Sequence, residues 1–191
     1  MTKKVGLLGG TFNPPHMGHL IIADQVLQKC ELDEIRFMPN HVPPHKVMED
    51  RVSGDQRVQM LSLATEAHPF FSIELIELER EGTSYTIDTI KLLKEREPLT
   101  DFSFIIGGDM IEYLPKWHKI DELLSLINFI GVNRPNYTSD TTYNIKMVEV
   151  PSIDISSSLI REHLKDHRSI RYLIPQNVLD YIEEANVYGE G

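Results

Sequence analysis

Apolar runs of β type alternate along this chain with runs in which apolar residues recur every three to four positions. The β-type runs are Lys4 to Leu8, Glu34 to Met38, Phe70 to Ile73, Asp101 to Ile106, Asn128 to Asn133 and Lys146 to Val150. The helical runs are Gly18 to Lys29, Ser53 to Ala67, Thr86 to Glu95, Ile120 to Leu126, Ser157 to His163 and Pro175 to Glu184. Strands alternating with helices predict βαβ units, hence an α/β fold: a Rossmann-like, doubly wound, mostly parallel sheet with helices on both faces. In such sheets ligands bind beyond the C-terminal ends of the strands, where the strand order reverses.

That rule locates the chemistry. Polar and glycine-rich segments follow the first strand (Gly9 to His19), the second (Pro39 to Lys46), the fourth (Gly107 to Trp117) and the fifth (Asn133 to Pro135). The first is the most informative. A strand running into Gly9-Gly10-Thr11-Phe12 and then a helix makes an anion cradle, from backbone N–H groups and the positive end of the helix. His16 and His19 stand three apart at the helix start, on one face. The P-loop lysine and the G-x-G-x-x-G pattern are both absent, so neither common nucleotide turn applies. His16 and His19, with the second pair His41 and His45, leave half a metal site as the alternative, but no cysteine or carboxylate stands at ligand spacing.

Composition changes the picture in three ways. With 191 residues, 41% hydrophobic and 25% charged, the chain predicts a single soluble domain over 1–191, its C-terminal helical part from about 154. A net charge of -10 argues against a nucleic-acid partner. The single cysteine, Cys30, excludes an internal disulfide and fits a reducing, cytoplasmic setting. No apolar run approaches membrane-spanning length, and the first strand begins too early for a signal peptide. A homo-oligomer is compatible with the sequence, which leaves the oligomeric state open.

The string Gly9-Gly10-Thr11-Phe12-Asn13-Pro14-Pro15-His16-Met17-Gly18-His19 resembles the T/H-x-G-H motif of the adenylyl- and cytidylyltransferases. Ile155-Ser156-Ser157-Ser158-Leu159-Ile160-Arg161 resembles their I-S-S-T-x-I-R signature, with serine at 158 in place of threonine. Three further strings resemble the branch acting on nicotinate mononucleotide. They are Pro39 to Lys46 (P-x-x-x-P-P-H-K), Ser84 to Thr89 (S-Y-T-x-D-T) and Ile106 to Asp109 (I-G-x-D). The likeness covers Val5 to Arg161 and implies transfer of the adenylyl group of ATP to nicotinate mononucleotide, releasing pyrophosphate. It implies His16, His19 and Arg161 as catalytic. Gly9, Gly10, Thr11, Phe12, Gly107, Asp109, Ile155, Ser156 and Ser157 would join them around ATP, which Mg²⁺ accompanies. His45, Lys46, Thr86, Tyr113, Trp117 and Arg134 would face nicotinate mononucleotide.

The residues by themselves admit plainer readings. Ser84 suits an N-cap, Asp109 a tight turn, Arg134 a surface ion pair, and a lone tryptophan such as Trp117 is commonly core. Serines 156–158 with Arg161 suit an N-capped helix carrying a surface arginine. The long segment Asn40 to Ser53, rich in proline and charge, is expected to close over substrate.

Overall fold

The computed structural model describes residues 2–40, 52–80, 85–133 and 142–189. Six strands form one sheet in the order β3-β2-β1-β4-β5-β6, every described pairing parallel. They are β1 Lys3–Gly10, β2 Glu34–Pro39, β3 Phe71–Ile73, β4 Thr100–Gly107, β5 Asn128–Asn133 and β6 Ile145–Glu149. The helices are α1 Met17–Lys29, α2 Gly54–Thr65, α3 Thr86–Arg96, the short α4 Gly108–Ile111, α5 Ile120–Leu126, α6 Ser157–Lys165 and α7 Gln176–Glu184. Predicted and observed ends agree to within one or two residues. The short turns at Gly108–Ile111 and Leu114–Lys116 lack the length to show a helical period.

Alternation along the strands divides the core. From β1 and β4, Val5, Leu7, Phe102, Phe104 and Ile106 pack against Ile87, Ile90, Leu93 and Leu123 of α3 and α5. Leu8 and Ile105 point the other way, against Ala23, Val26 and Leu27 of α1 and Leu61 of α2. A strand buried on both faces must be apolar almost throughout, which is why β1 and β4 read as continuous runs. A third cluster joins Met60 of α2 to Ile160 of α6 and Val178, Leu179 and Ile182 of α7. The C-terminal helices thus dock onto α2.

Strand order reverses between β1 and β4. The chain leaves β1 for β2 on one side and returns to β4 on the other, opening a crevice beyond Gly10 and Gly107. At the opposite end of the sheet, Arg36 of β2 donates to both oxygens of Glu97, just past α3, at 2.6 and 2.8 Å. Glu74 accepts from Arg36 and Arg96 in the same network. The ion pairs therefore stand away from the crevice.

Candidate active site

The turn after β1 is shaped by Phe12. Phe12 is 1% exposed, backbone included, and its ring lies over Gly10, where an added Cβ would come within 3.0 Å of it. Phe12 has φ 50, the left-handed region that side-chain-bearing residues seldom enter. Burying the ring offsets that strain, at roughly 2–3 kcal/mol for a phenylalanine. The ring is thus a support, packed edge-on against His19 (centroids 5.0 Å) and Phe37 (5.8 Å). The Asn13–Pro14 peptide is cis.

Three carbonyls of this turn are held by side chains from the helices. Thr11 O accepts from Arg57 Nη1 at 3.0 Å, Asn13 O from Arg161 Nη1 at 2.7 Å, and Pro14 O from Ser157 Oγ at 2.8 Å. The Asn13 side chain accepts from the Tyr188 hydroxyl at 2.5 Å. An anion cradle must keep carbonyl oxygens off the ligand, and each of these is occupied from α2 or α6.

His16 is the N-cap of α1 and His19 its third residue. The backbone N–H of His16 donates to His19 Nδ1 at 3.2 Å, and the two rings stack 3.6 Å apart. A neutral imidazole that accepts at Nδ1 carries its proton on Nε2. His19 is therefore set as an Nε2–H donor at the helix start. The N–H of Met17 donates to Leu173 O at 2.9 Å, so the C-terminal segment caps α1. At Gly18 an added Cβ would lie 3.0 Å from the His16 ring and 3.8 Å from Ile155 O. Glycine here leaves room for the His16 ring.

In α6 the Ser156 hydroxyl accepts from the Leu159 N–H at 3.1 Å. With Ser157 on Pro14 O, both hydroxyls are used within the protein. Arg161 donates to Asn13 O at 2.7 Å and to Ser158 Oγ at 3.4 Å, two bonds from a guanidinium with five donors. The expected N-capped helix is what the structure shows here.

Toward α3, Thr86 is the first helical residue and half-buried, with Tyr85 as N-cap; Ser84, expected as the cap, lies outside the described residues. Trp117 is half-buried, edge-on to Phe104 (5.9 Å) and Phe129 (6.1 Å). It combines core packing on one side with exposure on the other. Tyr85 meets His118 at 4.5 Å between rings, which brings the starts of α3 and the Trp117 turn together. Tyr113 is 55% exposed, with the Lys116 ammonium 4.8 Å from its ring centroid. Gly107 is the N-cap of α4, and Asp109 sits within that helix. His45, Lys46 and Arg134 lie outside the described residues, as does nearly all of the segment expected to close.

Arg57, Asn13 and Tyr188 are the participants that sequence reasoning missed. Arg57 carried a signal: it stands three and four residues before Met60 and Leu61, on the apolar stripe of α2. A charge on an apolar face calls for a reason.

Residues 7–163 match the family model described as cytidylyltransferase-like. A Bacillus subtilis (strain 168) relative, named nicotinate-nucleotide adenylyltransferase, is 54% identical over 186 residues, covering 97% of this chain and 98% of its own length. The chain belongs to the nicotinate-nucleotide adenylyltransferase family. An Enterococcus faecalis member, named probable nicotinate-nucleotide adenylyltransferase, is 53% identical over 97% of this chain and 85% of its own. The fold is shared with the Plasmodium falciparum nicotinic acid mononucleotide adenylyltransferase complexed with NaAD. That structure has a TM-score of 0.81 at 23% identity, with 97% of each chain covered. Among the described residues, no helix is long and apolar enough to cross a membrane.

Proposed function

We propose that the chain transfers the adenylyl group of ATP to nicotinate mononucleotide, yielding nicotinate adenine dinucleotide and pyrophosphate, a step of NAD biosynthesis. A phosphate oxygen of the mononucleotide attacks the α-phosphorus in line; the bond from that phosphorus to the β-bridging oxygen breaks, and pyrophosphate leaves. No protein nucleophile is needed, so catalysis is positioning and charge stabilisation.

The observation that carries the reading is the turn itself. At the strand-order reversal, three carbonyls are held by donors from α2 and α6, while His19 is set as an Nε2–H donor beside it. In this reading His19 stabilises charge on the α-phosphate, with His16 stacked behind it. Gly9, Gly10, Thr11 and the Phe12 backbone cradle the nucleotide. Ile155, Ser156 and Ser157 contribute the start of α6, and Arg161 bonds the leaving phosphates. Gly107 and Asp109 face the nucleotide across the crevice. Thr86, Trp117 and Tyr113, with His45, Lys46 and Arg134, take the pyridine nucleotide. One domain over 1–191 carries both substrate sites, the part from about 154 completing that for ATP.

The donor set suits an anion. Among the described residues no three His, Cys, Asp or Glu side chains gather to hold a metal. Mg²⁺ fits as a companion of ATP, held by phosphate oxygens and water, where it lowers their negative charge. With one buried cysteine and this activity, the working compartment is the cytoplasm.

Pyrophosphate release measured with ATP and a panel of acceptors tests the reading. Nicotinate mononucleotide should be preferred over nicotinamide mononucleotide and phosphopantetheine. Preference for phosphopantetheine would move the chain to another adenylyltransferase class, and no release with any acceptor would point to a binding module.

A further inference from the structure

Arg57 is 2% exposed, the largest fully buried side chain described. Among the described residues its side chain makes one hydrogen bond, to Thr11 O, and its Nε is buried with no described partner. Among the described residues no carboxylate pairs with it. A buried guanidinium ordinarily has a counter-charge, because desolvating an ion costs several kcal/mol. Burial here pushes its pKa down from the ordinary arginine value, though an arginine stays protonated. The position is well determined: Ser53 and Gln56 form a reciprocal cap at 2.9 and 3.1 Å that sets the first turn of α2.

The bond to Thr11 has a geometric consequence. In a planar trans peptide the carbonyl and the next N–H point in opposite directions. Holding Thr11 O toward Arg57 turns the N–H of Phe12 the other way, away from the guanidinium. Among the described residues no acceptor takes that N–H. The positive charge also polarises the peptide, which strengthens the N–H as a donor.

Resting on the adenylyl-transfer reading, we propose that Arg57 is a positioning residue for ATP. Through the Thr11 peptide it aims the Phe12 N–H at the phosphates, and its charge, unbalanced by any described carboxylate, is balanced by the triphosphate. ATP thus supplies the counter-charge that no described carboxylate supplies. This accounts for an arginine on the apolar stripe of α2, where a leucine would pack at no electrostatic cost.

MgATP binding to the full chain, measured by calorimetry on wild type, Arg57→Gln and Arg57→Lys, tests this. KM for nicotinate mononucleotide and the melting temperature are measured alongside. Glutamine can still donate to Thr11 O but carries no charge. Arg57→Gln should bind MgATP about tenfold more weakly, as expected for losing one charge at an effective dielectric constant near 20. Its KM for nicotinate mononucleotide should be unchanged. Arg57→Lys keeps the charge and should stay within about threefold of wild type. Equal MgATP binding by wild type and Arg57→Gln overturns the inference alone. So does a joint loss of both substrates with a fallen melting temperature, which is what a merely structural role predicts. If Arg57→Gln does not fold, Arg57→Lys decides, a tenfold loss in that variant overturning the inference. Wild type that fails to bind MgATP overturns the adenylyl-transfer reading, and this inference with it.

Discussion

The backbone N–H of His16 donates to Nδ1 of His19 at 3.2 Å, and this bond decides which ring nitrogen of His19 carries the proton. The relationship uses the three-residue spacing of the motif: only an N-cap and the third helical residue stand close enough for it.

It makes a prediction about geometry rather than charge. His19→Ala should lower kcat about a hundredfold or more, as for removal of a preorganised donor. His19→Gln places an amide N–H near the position of Nε2 and should recover part of that loss. His19→Asn, whose amide reaches only as far as Nδ1, should not. Because His19 also accepts the capping bond, His19→Ala should cost about 0.5–1 kcal/mol of stability. Steady-state rates and melting curves for the three variants check both statements. Equal activity in the glutamine and asparagine forms would refute the Nε2 assignment.

Glu97 predicts how the fold responds to acid. Two bonds from Arg36 hold its carboxyl down to about 2, against 4.5 in an unperturbed chain. A depressed carboxyl contributes stability that is present above 4.5 and is lost as pH falls toward 2. Glu97→Gln should therefore melt below wild type at pH 7, with the gap closing between pH 4.5 and 2. Because the network sits at the far end of the sheet from the crevice, kcat at neutral pH should not change. A melting gap independent of pH would show that the pair contributes no charge stabilisation.

Glu77 should show the opposite slope. It is 4% exposed, and burial pushes its carboxyl above 4.5, partly offset by the Thr89 hydroxyl donating at 3.0 Å and by Arg80 nearby. A raised carboxyl favours the fold while protonated; that contribution is fully present below 4.5 and is lost as pH rises through the folded value. Glu77→Gln keeps an acceptor for Thr89 without the charge. It should melt above wild type at pH 8 and no higher at pH 4. A variant less stable than wild type at pH 8 would mean that Arg80 stabilises the carboxylate more than burial penalises it.

These residues mark how far the sequence can be read. Strands and helices were legible because both sheet faces are buried and the helices are amphipathic, so period and composition agree. The cradle was legible because glycine and histidine stand contiguously after a strand. Arg57, Asn13 and Tyr188 were not, because Arg57 meets Thr11 from 46 positions away and Asn13 meets Arg161 and Tyr188 from 148 and 175, a matter of tertiary packing. Hydroxyl roles were ambiguous for a related reason. Ser156 and Ser157 suit a cap and a phosphate equally well on paper, and only the placement of Pro14 O and the Leu159 N–H shows where their bonds go.

The acid-over-amide preference is the sharpest test of the pyridine side. Thr86 opens α3, where the first-turn N–H groups only donate and its hydroxyl can donate alongside them. A pyridine carboxylate only accepts hydrogen bonds and matches such a set. A carboxamide turns one N–H₂ group toward it and leaves a buried donor unpaired, at roughly 1–3 kcal/mol, or one to two decades of discrimination. Thr86→Val removes the hydroxyl and should narrow the acid-to-amide ratio in kcat/KM. Trp117 acts on ring position instead. It meets Phe104 and Phe129 in T-shaped contacts and is half-buried, so in this reading an aromatic ligand stacks on the exposed part of the ring. Trp117→Leu keeps apolar packing but loses the stacking face, so KM should rise for both mononucleotides by a similar factor while the ratio stays. The decisive measurement is kcat/KM for both mononucleotides in wild type and the two variants. A ratio that collapses in Trp117→Leu and survives in Thr86→Val would reverse the assignment, making ring placement the source of selectivity.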